Sequence, residues 1–140
     1  MRSRTPLALM ELTVMLAAFA LTAALCLRAF VWSDLHSREN AARDQAVLRA
    51  ESAVETLKGL RGDYAAAADR MGGAWNGTLW EICYDTDWQI AEDGSACYRL
   101  QAEPEDAQPG LGRAEIRVLT ADGKELAALP GAWQEVLNGV

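Results

Sequence analysis

One acidic side chain inside a long apolar stretch is the residue best placed to do chemistry. Glu11 lies within residues 7–32, where Arg28 is the only other charged residue. A carboxylate in hydrocarbon costs about 2–3 kcal/mol even on insertion scales, so it needs a partner. Two roles stay open for Glu11: neutralising a cation on another helix, or lying near the interface and reaching toward Arg4 or Arg2.

Two cysteines in the C-terminal half could form a covalent bond. Cys83 and Cys97 fall on two strands expected to form one hairpin, and a disulfide outside the cytoplasm would persist and stabilise a small domain. The register leaves this open, because pairing strictly about the turn at Asp93-Gly94 would place Cys97 opposite Ile90. The alternatives are a Cys83–Cys97 disulfide and two separate, half-buried thiols.

The polar residues that most often bind metals do not form a recognisable ligand set here. His36 is the only histidine, and its position predicts a solvated side chain on the polar side of a helix. Asp85 and Asp87, with Glu81 nearby, resemble part of a calcium loop, but no turn glycine and ligand ladder follow them. We therefore predict no metal and no cofactor.

Other sequence features that suggest a chemical function have a simpler structural interpretation. Asn76-Gly77-Thr78 has the spacing of a glycosylation sequon, but a turn before a strand explains the same residues. Cys26 lies in the apolar stretch and is interpreted as a small apolar residue. The sequence contains no nucleophile with a base at a recognisable spacing and no glycine-rich phosphate loop, so we do not predict an enzyme.

The apolar stretch itself predicts a transmembrane helix. Residues 7–32 supply the roughly 20 apolar residues that a helix needs to cross a bilayer. Arg2 and Arg4 precede the stretch without an acid, so the positive-inside rule places the N-terminus in the cytoplasm and the C-terminal domain outside. A cleaved secretory signal would be shorter and end in small residues, and a lipoprotein signal would need a small residue instead of Leu25 before Cys26.

The helix is expected to continue beyond the membrane. Between Pro6 and Gly59 there is no proline or glycine, so residues 33–58 can extend the helix to roughly 50 residues, about 75 Å at 1.5 Å per residue. Apolar residues recur there at helical spacing, which predicts one face packed on a domain. These residues are Ala42, Ala46, Ala50, Ala53 and Leu57.

Residues 59–140 predict one small domain. Asp63 is expected to cap a short helix that ends at Gly72-Gly73, and Asp122-Gly123 marks a hairpin turn. After Gly73 the apolar residues alternate with period two, which predicts an antiparallel sheet of about four strands packed against the long helix, an α+β fold. The predicted strands cover residues 79–84, 95–102, 113–120 and 124–129. Pro130-Gly131 is expected to end the last strand, and residues 133–137 to form a tail that can dock on the domain.

Charge excludes one class of partner. The net charge is −7, and all of the excess acid follows the apolar stretch. A surface of this sign does not attract nucleic acid, so we expect no nucleic-acid partner.

The N-terminus resembles that of type IV prepilins and of the pseudopilins of type II secretion and competence systems. Residues 1–6, MRSRTP, correspond to the short basic leader, and LALMELTVML follows it. If Leu7 is the first mature residue, Glu11 is the fifth, where that family has a glutamate. The resemblance covers the leader and the apolar helix and, more loosely, the pilin-like plan of a long helix on a sheet.

The resemblance implies an assembly function. In that family a prepilin peptidase cleaves the leader and methylates the new amine, and the glutamate neutralises the amine of a neighbouring subunit as the helices pack. The partners implied are other pilin-like subunits, the peptidase and the cytoplasmic membrane. This chain has Pro6 where the family has glycine before the cut, so it is either processed between Pro6 and Leu7 or kept as an uncleaved pilin-like protein.

We therefore expect a pilin-like or pseudopilin-like minor subunit of a bacterial type IV filament or type II secretion-type assembly. The alternative is a single-pass membrane-anchored binding or envelope module that does not polymerise.

Overall fold

The computed structural model describes residues 5–106 and 108–135. The chain forms two compact units, residues 1–40 and residues 41–140, and one helix, α1 (Thr5–Gly59), contributes to both. The predicted uninterrupted N-terminal helix is therefore confirmed, and most of the basic leader lies outside the described residues. Pro6 occupies the first turn of α1, where its missing N–H would have no partner within the helix in any case.

The first unit is a single helical segment whose long apolar side chains are exposed. Among them Leu7, Met10 and Phe30 have 72%, 69% and 75% of their surface accessible. The hydroxyls of Thr13 and Thr22 donate to the carbonyls of Leu9 and Ala18 at 2.8 and 3.1 Å, so these polar groups are satisfied within the helix. Residues 7–32 thus expose apolar side chains, with Glu11 and Arg28 as their only charged residues.

The N-terminal part of α1 has the length and composition of a single membrane span. It is the one such helix among the described residues, and none of its most apolar window is buried against other parts of the chain. These properties are compatible with a membrane anchor.

In the second unit, residues 41–59 of α1 bury one stripe. The side chains of Ala46, Ala50, Ala53 and Leu57 are fully buried, as their spacing predicts. Small alanines let the helix approach the sheet closely, and Leu57 fills the larger space near the helix end.

A tight turn joins α1 to a second helix, α2 (Tyr64–Met71). Arg61 and Gly62 both have positive φ, 53° and 82°, which ends α1 and reverses the chain. The Asp63 carboxylate accepts a hydrogen bond from the Ala66 N–H at 3.0 Å, so the predicted N-cap is confirmed.

The sheet has five antiparallel strands in the order β1-β2-β3-β4-β5. The α+β class and the antiparallel arrangement are confirmed, but the sheet has one strand more than expected. The additional strand, β1, contains only two residues and pairs with β2, too short for an alternating pattern to reveal it. The strands are β1 (Ala74–Trp75), β2 (Trp80–Tyr84), β3 (Tyr98–Glu105), β4 (Leu111–Thr120) and β5 (Glu125–Gln134).

Side chains alternate between the two faces of the sheet along each strand, and those on one face form the core. In β2, the side chains of Trp80, Ile82 and Tyr84 face the helices, and Glu81 and Cys83 lie on the other face. The same alternation in β3 and β4 buries Leu100, Ala102, Ala114, Ile116 and Val118 in one cluster with the α1 stripe.

The last strand corrects two expectations. Pro130-Gly131 does not end it, because β5 is an edge strand and a proline there costs no ladder hydrogen bond. Trp133 is part of β5 and not of a docking tail, and it is 7% exposed. The remainder of the predicted tail, residues 136–137, lies outside the described residues. The turn at Asp122-Gly123 is confirmed, since the Thr120 N–H donates to the Lys124 carbonyl at 2.9 Å.

Candidate functional site

The Glu11 carboxylate lies on an exposed part of α1, surrounded along the helix by apolar side chains. Leu7, Leu12 and Val14 are 72%, 61% and 62% exposed. Among the described residues no side chain forms an ion pair with Glu11. The two arginines suggested as its partners, Arg2 and Arg4, lie outside the described residues. The structure therefore places Glu11 on an uncovered apolar helix, where a partner from another molecule can reach it.

The predicted processing site is in the same segment. Pro6 and Leu7 are both helical, and both are exposed. A peptidase that acts on an extended chain would have to unwind this first turn, which is the least costly part of a helix to open because its N–H groups have no partner in the helix.

The two cysteines of the sheet are free thiols, so no disulfide is present in this structure. The register pairs Cys83 with Arg99 and Tyr84 with Tyr98, which puts Cys97 just beyond the end of the ladder. The hairpin does not turn at Asp93-Gly94 alone. Residues 85–97 form a longer connection in which Ile90 returns to pair with Tyr84, so the alternative register that places Cys97 opposite Ile90 does not form.

The acidic residues of that connection have a structural role. The Asp85 carboxylate accepts hydrogen bonds from the N–H groups of Asp87 and Gln89, both at 2.9 Å. This arrangement is an Asx turn, which fixes the start of the loop. Asn76 acts in the same way, accepting from the N–H groups of Thr78 and Leu79 at 2.9 and 2.8 Å, which agrees with the turn interpretation of the sequon.

The polar face of the sheet holds a cluster that sequence reasoning missed. Glu81 and Cys83 of β2 approach Asp93, and their potential ligand atoms lie within 4.8 Å of one another. Gln101 and Arg99, opposite them on β3, hydrogen-bond to Glu81 and Asp93. The alternation of Glu81 and Cys83 was visible in the sequence. The position of Asp93 was not, because it depends on the irregular path of residues 85–97.

The charged neighbours of Cys83 shift the pKa of its thiol. Burial raises the pKa of Cys83, and the neighbouring carboxylates of Glu81 and Asp93 raise it further, while the Arg99 guanidinium opposes them. A thiol with a raised pKa is mostly protonated at neutral pH, so Cys83 does not have the character of a catalytic nucleophile.

The tryptophans of the second unit belong mainly to the core. Trp80 is fully buried, and Trp88 is 8% exposed and stacked on Tyr98 with ring centroids 4.2 Å apart. Trp75 is half-buried and stacks on Tyr64 at 4.6 Å. Because these rings pack on one another, the aromatic content does not define an exposed binding surface.

Comparison with known proteins returned no match to any family model, to any curated protein or to any solved structure.

Proposed function

We propose that this chain is a pilin-like or pseudopilin-like subunit, a minor one. It would belong to a bacterial type IV filament or a type II secretion-type assembly. The observation that carries the proposal is the exposed Glu11 within an apolar helix that no other part of the described chain covers. Such a carboxylate is stabilised when it meets a cation, and a second subunit can supply one.

The proposed mechanism is packing between helices. Parallel copies of an N-terminal helix, in the membrane and then in a filament, would bring Glu11 of one subunit to the amine at the N-terminus of its neighbour. Each charge alone is costly in a low-dielectric environment, and pairing reduces the cost for both. Because only one axial offset between helices allows this contact, Glu11 would set the register of the assembly.

The second unit supports the same proposal. A helix that supplies an apolar segment and then buries a stripe against an antiparallel sheet is the arrangement the pilin-like reading requires. Its acidic surface would keep the exported part soluble outside the cytoplasmic membrane, with the N-terminus inside.

Pro6 favours the alternative function. A peptidase pocket fitted to glycine accommodates a proline ring poorly, and an unprocessed subunit would have no free amine at Leu7 for a neighbouring Glu11 to meet. In that case the chain is a membrane-anchored binding or envelope module with the same topology.

Processing separates the two functions. Mass spectrometry of the full chain extracted from membranes of its native host would show a methylated Leu7 as the first residue if the subunit enters an assembly. An intact N-terminus beginning at residue 1 would contradict processing and support the anchored module.

A second experiment tests Glu11 directly. In cells that carry a tagged and an untagged copy, the Glu11→Ala chain is expected to insert into the membrane normally and to lose at least tenfold of its co-purification with the other copy or with partner subunits. Thr13→Ala is the matched control, since its hydroxyl is satisfied within the helix, and it should co-purify like the native chain. Unchanged co-purification of Glu11→Ala would refute the register role.

A further inference from the structure

Three side chains with metal-binding atoms converge on the polar face of the sheet. A carboxylate oxygen of Glu81, the Sγ of Cys83 and a carboxylate oxygen of Asp93 lie within 4.8 Å of one another. Glu81 and Cys83 are two residues apart in β2 and so project from the same face. Asp93 begins a short 3-10 turn, Asp93–Ser95, that returns to this face. Ligands from a strand and from a separate turn thus meet at one place.

In contrast to the expectation of no metal from the sequence, we propose that Glu81, Cys83 and Asp93 bind a divalent metal cation that accepts a thiolate ligand, with zinc as the best fit. In a tetrahedral zinc site with Zn–S of about 2.3 Å and Zn–O of about 2.0–2.2 Å, neighbouring ligand atoms are about 3.3–3.7 Å apart. The ligand atoms lie within 4.8 Å of one another, so binding requires side-chain torsions that bring them closer by about 1 Å. A solvent molecule would supply the fourth ligand, since Asp93 is exposed and the cluster opens to water.

Two neighbours orient the carboxylates without using all of their oxygens. Gln101 Nε2 donates to Glu81 Oε2 at 2.7 Å, and Arg99 Nη2 donates to Asp93 Oδ1 at 2.5 Å. Each contact leaves the other carboxylate oxygen for the ion. Outer partners of this kind fix ligand orientation in metal sites, and their loss typically weakens binding about 10–100-fold.

The donor set selects the class of ion. Calcium and magnesium take oxygen ligands, whereas a thiolate favours zinc and similar ions. Binding of the cation releases the Cys83 proton to solvent, and three anionic ligands then lie beside the Arg99 guanidinium, which pairs with Asp93. A divalent cation balances the remaining charge, and a monovalent cation does not.

Cobalt and zinc binding to the full chain tests the site. The reduced, chelator-stripped protein in detergent micelles is titrated with Co²⁺, followed by its thiolate-to-metal absorption band, and then with Zn²⁺ in competition. We expect one bound ion and loss of the band in Cys83→Ser. Cys97→Ser is the matched control, because Cys97 is a second half-buried thiol of the same hairpin but not one of the three ligands, and its band should be unchanged.

Two further variants separate ligation from folding. Glu81→Gln should weaken Zn²⁺ binding at least tenfold, and Gln101→Ala should weaken it about tenfold by releasing Glu81. Circular dichroism of each variant verifies the fold. The proposal is overturned if the native chain shows no thiolate band, if Cys97→Ser loses the band as Cys83→Ser does, or if Glu81→Gln binds Zn²⁺ like the native chain.

Discussion

The Tyr64 ring packs between two tryptophans of the second unit, stacked on Trp75 and edge-on to Trp133 with a centroid distance of 6.4 Å. Its hydroxyl is buried without a hydrogen-bond partner among the described residues. Burial raises the pKa of Tyr64 to about 12, and the nearby Glu135 carboxylate adds to the increase. The fold therefore favours the neutral phenol over the phenolate.

This shift predicts alkaline sensitivity. Because the pKa in the fold lies above the unfolded value of 10.0, the stabilisation is complete below pH 10 and is lost as pH rises toward 12. In Tyr64→Phe we expect an equal or slightly higher free energy of unfolding at pH 7, because an unsatisfied hydroxyl is removed. Between pH 9 and pH 11 the variant should lose less of this free energy than the native chain does, by on the order of 1 kcal/mol. Urea unfolding followed by tryptophan fluorescence measures both. An unchanged pH dependence would contradict the assignment to Tyr64. Arg49 opposes the effect of burial on the pKa of Tyr84. Tyr84→Phe should therefore change the pH dependence of stability less than Tyr64→Phe does.

A second residue-scale prediction concerns Gly112. It pairs with Trp133 across β4 and β5, and the indole lies over it so closely that a Cβ at Gly112 would be 2.1 Å from Trp133 Nε1. Gly112→Ala must displace a buried ring, and we expect a loss of about 1–3 kcal/mol in the free energy of unfolding. Gly94→Ala is the matched control, because nothing lies within 4 Å of its added Cβ, and it should change stability by less than about 0.5 kcal/mol. Equal effects of the two substitutions would show that Trp133 is free to move.

At the scale of elements, Arg49 connects α1 to the loop between β2 and β3. Its Nη2 donates to the Trp88 carbonyl at 3.1 Å, and its guanidinium lies 5.4 Å from the centroid of the Tyr84 ring. Trp88 has a φ of 60°, which is unfavourable for a bulky residue, so contacts around it must compensate.

Removing these contacts should weaken the loop. We expect Arg49→Ala to lower the free energy of unfolding by about 1–2 kcal/mol through the lost hydrogen bond and cation–π contact. Hydrogen exchange should show faster exchange in residues 85–92. Arg43→Ala, an exposed arginine on the same helix, should cost less than about 0.5 kcal/mol. If both arginine variants behave alike, the Trp88 loop does not depend on Arg49.

Several elements of the fold could be predicted from the sequence, and others could not. The α1 stripe, the Asp63 cap, the strand alternation and the Asp122-Gly123 turn follow from local periodicity and turn chemistry, and all are present. The path of residues 85–97 could not be predicted from the sequence. It depends on an Asx turn at Asp85 and on a positive φ at Trp88, which tertiary contacts impose. The Glu81–Cys83–Asp93 cluster was missed for the same reason. Glu11 stood out because a lone carboxylate in an apolar run needs no tertiary information to be noticed.

At the scale of the whole molecule, the core depends on only part of the chain. Every buried apolar residue among the described ones lies at or after Ala46, and the second compact unit begins at residue 41. The apolar segment that would require a membrane or detergent lies entirely before that residue. The two units therefore differ physically: one exposes its apolar side chains, and the other contains its own core.

A fragment comprising residues 41–140 should consequently fold by itself. We expect it to be monomeric without detergent and to unfold cooperatively in urea, as measured by sedimentation and tryptophan fluorescence. A fragment starting at residue 52 is the control, because it lacks Ala46 and Ala50, and the sheet side chains that they cover would then face water. This shorter fragment should lose several kcal/mol, on the order of 3, and aggregate or remain unfolded. If residues 41–140 also failed to fold without detergent, the N-terminal segment would be part of the folding unit, and the division of the chain into two independent units would be wrong.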